Sequence, residues 1–128
     1  MREQPKARLK VGPQPKSAYS NGPVDAGVEE LIGQIQDVMW NDVGIVRTRA
    51  GMQKAIHRLE ELAPKLAHPK TRRAVEAANL HQAGLLVARS ALAREESRGA
   101  HYRTDYPDHD DKKFLKHSVL KGDTLRFV

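Results

Sequence analysis

Between Glu96 and Tyr106 the chain concentrates groups that donate, accept or carry charge: Glu96, Ser97, Arg98, His101, Tyr102, Arg103, Asp105 and Tyr106. Three kinds of chemistry are conceivable for them. Arg98 and Arg103, with His101, offer two guanidinium forks and an imidazole to a carboxylate or phosphate. His101, Asp105, Asp108, His109, Asp110 and Asp111 are metal-type donors. Their spacing fits no metal template, and a solvated acidic turn explains them more simply. The third reading is structural: the same groups bond to backbone carbonyls and acidic side chains and fasten the chain as it leaves a helix. Composition favours this last reading.

Other catalytic routes find little support. There is no Cys, which excludes disulfides and thiolate ligands and is compatible with the cytoplasmic location we expect. No glycine-rich phosphate loop of either familiar spacing is present. Ser90 and Ser97 lie in a helical run rather than on a nucleophile elbow. His57, His68 and His81 are scattered and read as surface or satisfied histidines. We assign no catalytic, cofactor-binding or metal residue.

The elements that must position Glu96–Tyr106 are helical. In 128 residues, 39% are hydrophobic and 30% charged, as in one globular domain. Aromatics are 5%, so aliphatic side chains must fill the core, which favours helix on helix. Val28, Leu31, Ile32, Ile35, Val38 and Met39 recur at helical spacing, extended by Trp40 and Val43, and predict a helix over 26–44 capped by Asp25. Thr48 caps a second helix whose stripe is Met52, Ala55, Ile56, Leu59, Leu62, Ala63 and Leu66. Pro64 kinks or ends it. A third helix is expected over 70–97, with Ala74, Val75, Ala78, Leu85, Leu86, Ala88, Leu92 and Ala93 on its apolar face. Gly99 suits its left-handed C-cap.

The expected fold is therefore all-α: an antiparallel three-helix bundle over 25–99, an extended Pro-rich basic arm over 1–24, and a docking loop with an irregular tail over 100–128. No convincing strand is read. Residues 1–20 hold Arg2, Lys6, Arg8, Lys10 and Lys16 against Glu3, which accounts for +4 of the net charge of +6. A solvated tail is favoured over a nucleic-acid arm, because no groove-reading motif accompanies it. No apolar run approaches the roughly 20 residues needed to span a bilayer, so no membrane partner is expected.

Two stretches carry a family resemblance. Met39-Trp40-Asn41-Asp42-Val43-Gly44-Ile45-Val46-Arg47, and the run from Arg89 to Pro107 that contains Glu96-Ser97-Arg98-Gly99-Ala100-His101-Tyr102-Arg103-Thr104-Asp105-Tyr106, resemble the C-terminal helical domain of L-aspartate oxidase. That domain belongs to the wider succinate dehydrogenase and fumarate reductase flavoprotein family. The resemblance covers about residues 26–120. It implies a parent flavoenzyme in which FAD takes a hydride from L-aspartate to give iminoaspartate for NAD biosynthesis.

It also implies that the flavin domain, the capping domain and the family's substrate-binding residues lie outside this chain. The chain would then be an excised domain, a fragment or a stand-alone paralogue, inactive alone and without a cofactor of its own. Its partner would be the FAD-binding domain of the parent. The role implied for Glu96, Ser97, Arg98, His101, Tyr102, Arg103, Asp105 and Tyr106 is domain docking. The alternative is a stand-alone helical module that binds nucleic acid or another anionic partner through its basic arm.

Overall fold

The structure, a computed structural model, describes residues 26–128; the arm over 1–24 and the Asp25 cap lie outside the described residues. Three helices pack against one another: α1 (Ala26–Val43), α2 (Arg49–Leu62) and α3 (Arg72–Ala93). Val28, Ile32 and Ile35 of α1 share one cluster with Leu59, Leu62 and Leu66 and with Ala77 near the start of α3. Val43 closes the opposite end with Ala55 and Ala88. α2 therefore runs antiparallel to α1 and α3, and the expected all-α bundle is what the chain builds.

Local chemistry sets the helix ends. Thr48 is extended and its hydroxyl accepts from the Gly51 amide at 3.0 Å. Thr71 caps α3 in the same way through the Ala74 amide at 3.1 Å. Each satisfies an amide that the first helical turn leaves without a partner. Pro64 has no N–H to offer, and α2 gives way to a 3₁₀ turn over Ala63–Leu66.

α3 meets its expected face in part: Ala88 is buried and Ala74, Ala78 and Leu85 pack against the core, while Leu86 does not. Its buried residues are Ala77, His81, Gly84, Ala88 and Ala91, spaced by four, three, four and three. This small-residue stripe lets the helices approach closely. A Cβ placed on Gly84 would lie 3.2 Å from Met39 Sδ and 3.7 Å from Leu59 Cδ1. Leu80, Leu86 and Val87 instead point outward, as does Trp40 of α1, which is 78% exposed. Sequence periodicity finds an apolar face but cannot choose between two on one helix.

The chain beyond α3 also departs from expectation. The helix stops at Ala93, not 97, where Arg94 turns extended (φ −85°, ψ 98°). Gly99, at φ +57°, is not a helix cap; it sits in a tight turn where Arg98 and His101 exchange backbone hydrogen bonds of 2.8 and 3.0 Å. Short strands appear where none was read. β1 (Val46–Arg47) pairs in parallel with β2 (Tyr102–Arg103), with Arg47 opposite Arg103. A four-residue helix, α4 (Asp111–Phe114), follows. In place of an irregular tail, β3 (Ser118–Lys121) and β4 (Thr124–Phe127) form an antiparallel hairpin. Gly122, at φ +57°, makes its two-residue turn with Asp123.

Candidate functional site

The sharpest chemistry gathers where the chain leaves α3 and turns back under the α1–α2 connection. Glu96 lies at its centre with 0% exposure. Its carboxylate accepts from Arg94 Nη1 at 2.6 Å, Arg98 Nε at 2.9 Å, Arg98 Nη2 at 3.0 Å and the Asp110 amide at 2.9 Å. A buried carboxylate is costly unless its lone pairs are filled, and here they are. The Arg98 guanidinium, aided by the Asp110 amide and Arg94, outweighs burial and holds the Glu96 carboxyl down at about 2. Arg98 also pairs with Asp111.

Arg103, also 0% exposed, closes the end of α3. Its Nη1 donates to the Leu92 and Arg94 carbonyls at 2.9 and 3.2 Å. These are carbonyls that the terminating helix leaves open, and a cation there also suits the helix dipole. The rest of the fork grips Asp105 at 2.9 and 2.5 Å, and Arg103 holds the Asp105 carboxyl below its ordinary value. The Tyr106 ring lies 4.6 Å from the Arg103 guanidinium carbon. Ser97 Oγ accepts from the Arg103 amide at 2.9 Å and donates to the Tyr106 carbonyl at 2.7 Å.

The α1–α2 connection is tied to the same cluster. Arg47 Nε donates to the Val43 and Gly44 carbonyls, each at 3.0 Å, at the end of α1. Its Nη1 lies 2.9 Å from His101 Nδ1, while His101 Nε2 lies 3.0 Å from the Arg94 carbonyl. A guanidinium can only donate and a carbonyl can only accept, so His101 is the neutral Nε2–H tautomer. Burial, together with the nearby Arg47, Arg103 and Arg94 charges, pushes its pKa below the ordinary 6.5, against the opposing pull of the Arg94 carbonyl. Asp105 accepts from the Arg49 amide at 3.0 Å, and the Arg49 side chain reaches Glu95 and the Tyr106 hydroxyl.

Arg94 and Arg47, which sequence reasoning passed over, bind the parts together. Arg94 donates to Glu96, to the Phe114 and Lys116 carbonyls at 2.8 and 2.7 Å, and to Ser118 Oγ at 3.0 Å. It also lies over the Phe114 and Phe127 rings, whose centroids are 4.9 Å apart edge to face. No local pattern marks such a role; it depends on partners 20 and more residues away.

Among the sequence-predicted residues, Glu96, Ser97, Arg98, His101, Arg103, Asp105 and Tyr106 all join this one network. Tyr102 presents a half-exposed side chain beside it. Both guanidinium forks considered for an external anion are occupied internally. Asp110 caps α4 through the Lys113 amide, and Asp111 faces Arg98. Among the described residues no group of three or more His, Asp or Glu is placed to hold a metal ion, and no buried side-chain polar atom lacks a partner. No described helix is long and apolar enough to cross a membrane. The arrangement holds one backbone shape and, among the described residues, offers no unengaged buried acid, base or nucleophile.

This architecture has relatives. A family described as fumarate reductase flavoprotein C-term matches residues 33–127. The chain is 32% identical over 109 residues to an uncharacterized FAD-dependent oxidoreductase of Methanocaldococcus jannaschii, across 80% of this chain and 20% of that protein. It is 40% identical over 89 residues to a fumarate reductase (CoM/CoB) polypeptide of Methanothermobacter marburgensis, across 62% and 16%. It is 37% identical over 92 residues to the L-aspartate oxidase of Acinetobacter baylyi, across 68% and 16%. A chain of the Mycobacterium smegmatis Sdh1 complex in the apo form superposes with a TM-score of 0.58 and 29% identity, over 90% of this chain and 21% of that one. The chain thus spans a fifth or less of the length of these curated relatives. Over nearly all its described length, it belongs to the fumarate reductase flavoprotein C-terminal family.

Proposed function

We propose that this chain is a C-terminal helical domain that buttresses a FAD-binding domain, and that the enzyme it serves is an L-aspartate oxidase. The observation that carries the buttress is the closed polar network around Glu96 and Arg103: among the described residues no buried side-chain polar atom is left unpartnered. Such a network fixes one shape for residues 94–111 instead of offering reactive groups. The docking segment Glu96–Tyr106 keeps that shape against the flavin domain. Tyr102, half-exposed, reaches its outer side.

The reaction proposed for the parent is oxidation of L-aspartate to iminoaspartate with FAD as hydride acceptor, feeding NAD biosynthesis in the cytoplasm. The L-aspartate oxidases among the relatives, at 36–40% identity, support it. Fumarate reductase chains of comparable identity make the choice a matter for experiment. The FAD, the substrate and the residues that handle them belong to the partner domain.

The test replaces the matching segment of full-length Acinetobacter baylyi L-aspartate oxidase with residues 33–127. The exchange enzyme is expected to produce peroxide when given L-aspartate, and the isolated chain is expected to produce none. Peroxide from the isolated chain, or an inert exchange enzyme, contradicts the proposal. If the basic arm instead recruits nucleic acid, deleting residues 1–20 abolishes salt-sensitive binding; the proposal expects no such binding to lose.

A further inference from the structure

Large exposed apolar side chains are normal on a protein surface when scattered; when contiguous, they mark a covered face. Among the described residues of this chain most of them are contiguous. A hollow lined by Trp40, Ile45, Val46 and Ala100 shares Trp40 and Gly44 with a second that reaches Leu80. On its other side it shares Arg47 with a third, lined by Leu86, Val87 and His101. That one shares Arg94 and His101 with a fourth, which ends at Leu115 and Val128. The hollows form one belt across the α1 and α3 side of the bundle. Ile45 is 79% and Trp40 78% exposed along it.

The opposite side has a different character. No residue of α2 lines any of these hollows. Past the exposed Ala50 in its first turn, the outward positions Gln53, Lys54, His57, Arg58, Glu60 and Glu61 of α2 are all polar. The second apolar face of α3, unexplained by the bundle's own core, lies in the belt. The polar network also has a place in it: Arg47, His101 and Arg94 form its middle. Their internal bonds hold the α1–α2 connection and the segment after α3 in one surface.

Charge narrows the occupant. Arg94 and Arg98 in the lining are already paired with Glu96 and Asp111, which leaves Arg47 and Lys116 against Asp37 and a belt of little net charge. The fitting surface is apolar and carries little net charge of its own. The curated relatives are about four times the length of this chain, so most of such a polypeptide lies outside the bundle and must meet one side of it. Resting on the reading of this chain as a flavoprotein's C-terminal domain, the geometry points to the belt from Trp40 through Ile45 and Val87 to Leu115 as the surface that covers an apolar face of the FAD-binding domain. α2 faces solvent.

The experiment places Ile45→Glu and Val87→Glu on the belt, and Gln53→Glu and His57→Glu on α2, in the exchange enzyme described above. Flavin release after dilution is followed by recovery of flavin fluorescence, and each substitution is also melted in the isolated chain. The belt variants are expected to release flavin about tenfold faster or more, since each forces a carboxylate into an apolar contact. The α2 variants match the parent, and all four isolated chains melt normally. Belt variants that release flavin like the parent, or that unfold the isolated chain, overturn the inference while leaving the domain reading in place. Fast release from the α2 variants alone overturns it in favour of the opposite face. An isolated chain that dimerises, and that the belt substitutions return to monomer, overturns it by assigning the belt to a second copy. An unsubstituted exchange enzyme that holds no flavin overturns the domain reading itself.

Discussion

His81 Nε2 lies 2.7 Å from the carbonyl oxygen of Leu59, joining the middle of α3 to the last turn of α2. The contact follows from a proline. Pro64 cannot donate to Glu60, four residues back. The Ala63 amide moves to the Glu60 carbonyl in its place, and the Leu59 carbonyl loses its helical donor. The buried imidazole supplies the missing hydrogen, which requires its Nε2–H form.

His81→Ala is therefore expected to cost about 2 kcal/mol, chiefly by stranding a buried carbonyl. Pro64→Ala restores an amide at position 64 and lets Ala63 return to Leu59. In a double-mutant cycle read by urea unfolding, His81→Ala should cost about 1 kcal/mol less in the Pro64→Ala background. Strict additivity contradicts the link.

Glu96→Ala should be among the most damaging single changes. It leaves Arg94, Arg98 and the Asp110 amide facing a cavity, and breaking a buried ion pair from one side costs about 3 kcal/mol or more. Glu96→Gln keeps the shape but pairs poorly with two guanidinium groups, and should fall between. An unfolding midpoint that stays at the parent value for Glu96→Ala would show that the network does not hold the segment.

Stability should fall with acid in two windows. His101 has a folded pKa below its ordinary 6.5, so the unfolded chain takes the proton first. Its contribution is complete above about pH 6.5 and is lost as the pH drops below that. Glu96 titrates near 2 in the folded chain against an ordinary 4.5. Its contribution is present above 4.5 and is lost as the pH falls from there toward 2, with Asp105 adding in the same direction. Urea midpoints measured from neutral to acid pH should show both steps. His101→Gln keeps a donor for Arg94 and an acceptor for Arg47 without titrating, and should flatten the upper step alone.

Gly99 makes a narrower claim. At φ +57°, it holds the turn that lets Arg98 and His101 face each other. Gly99→Ala is expected to cost about 1 kcal/mol, and Gly99→Asn less, because asparagine enters the left-handed region more readily. Equal unfolding midpoints for alanine and glycine would count against that turn.

What the sequence made legible follows physical range. Thr48, Pro64 and the aliphatic periods act locally, so the three helices and their order could be read within a few residues. The density of polar groups after α3 was also visible, and its hydrogen-bonded character was the favoured reading. The end of α3 was not legible, because Glu96 is drawn out of the helix by Arg98 and by the Asp110 amide, 14 residues on. β1 and β2 were invisible, since two-residue strands that pair across more than fifty positions leave no local trace. The β3–β4 hairpin did leave one: Gly122-Asp123 between apolar runs is a hairpin signal, and it was passed over. The buried stripe of α3 was read only in part. Ala88 and the core-packed Ala74, Ala78 and Leu85 were legible, but Ala77, His81, Gly84 and Ala91 were not, because Ala, Gly and His are weak hydrophobic markers beside Leu86. Yet only a small side chain fits at Gly84, where Met39 and Leu59 close in.

The most direct measurement is flavin content. Full-length Acinetobacter baylyi L-aspartate oxidase carrying residues 33–127 in place of its own segment is compared with the same enzyme lacking that segment, by flavin absorbance per mole of protein. The account predicts near-stoichiometric FAD in the first and depleted FAD in the second. Equal FAD in both, or none in the exchange enzyme, would contradict the claim that this bundle exists to support a flavin domain.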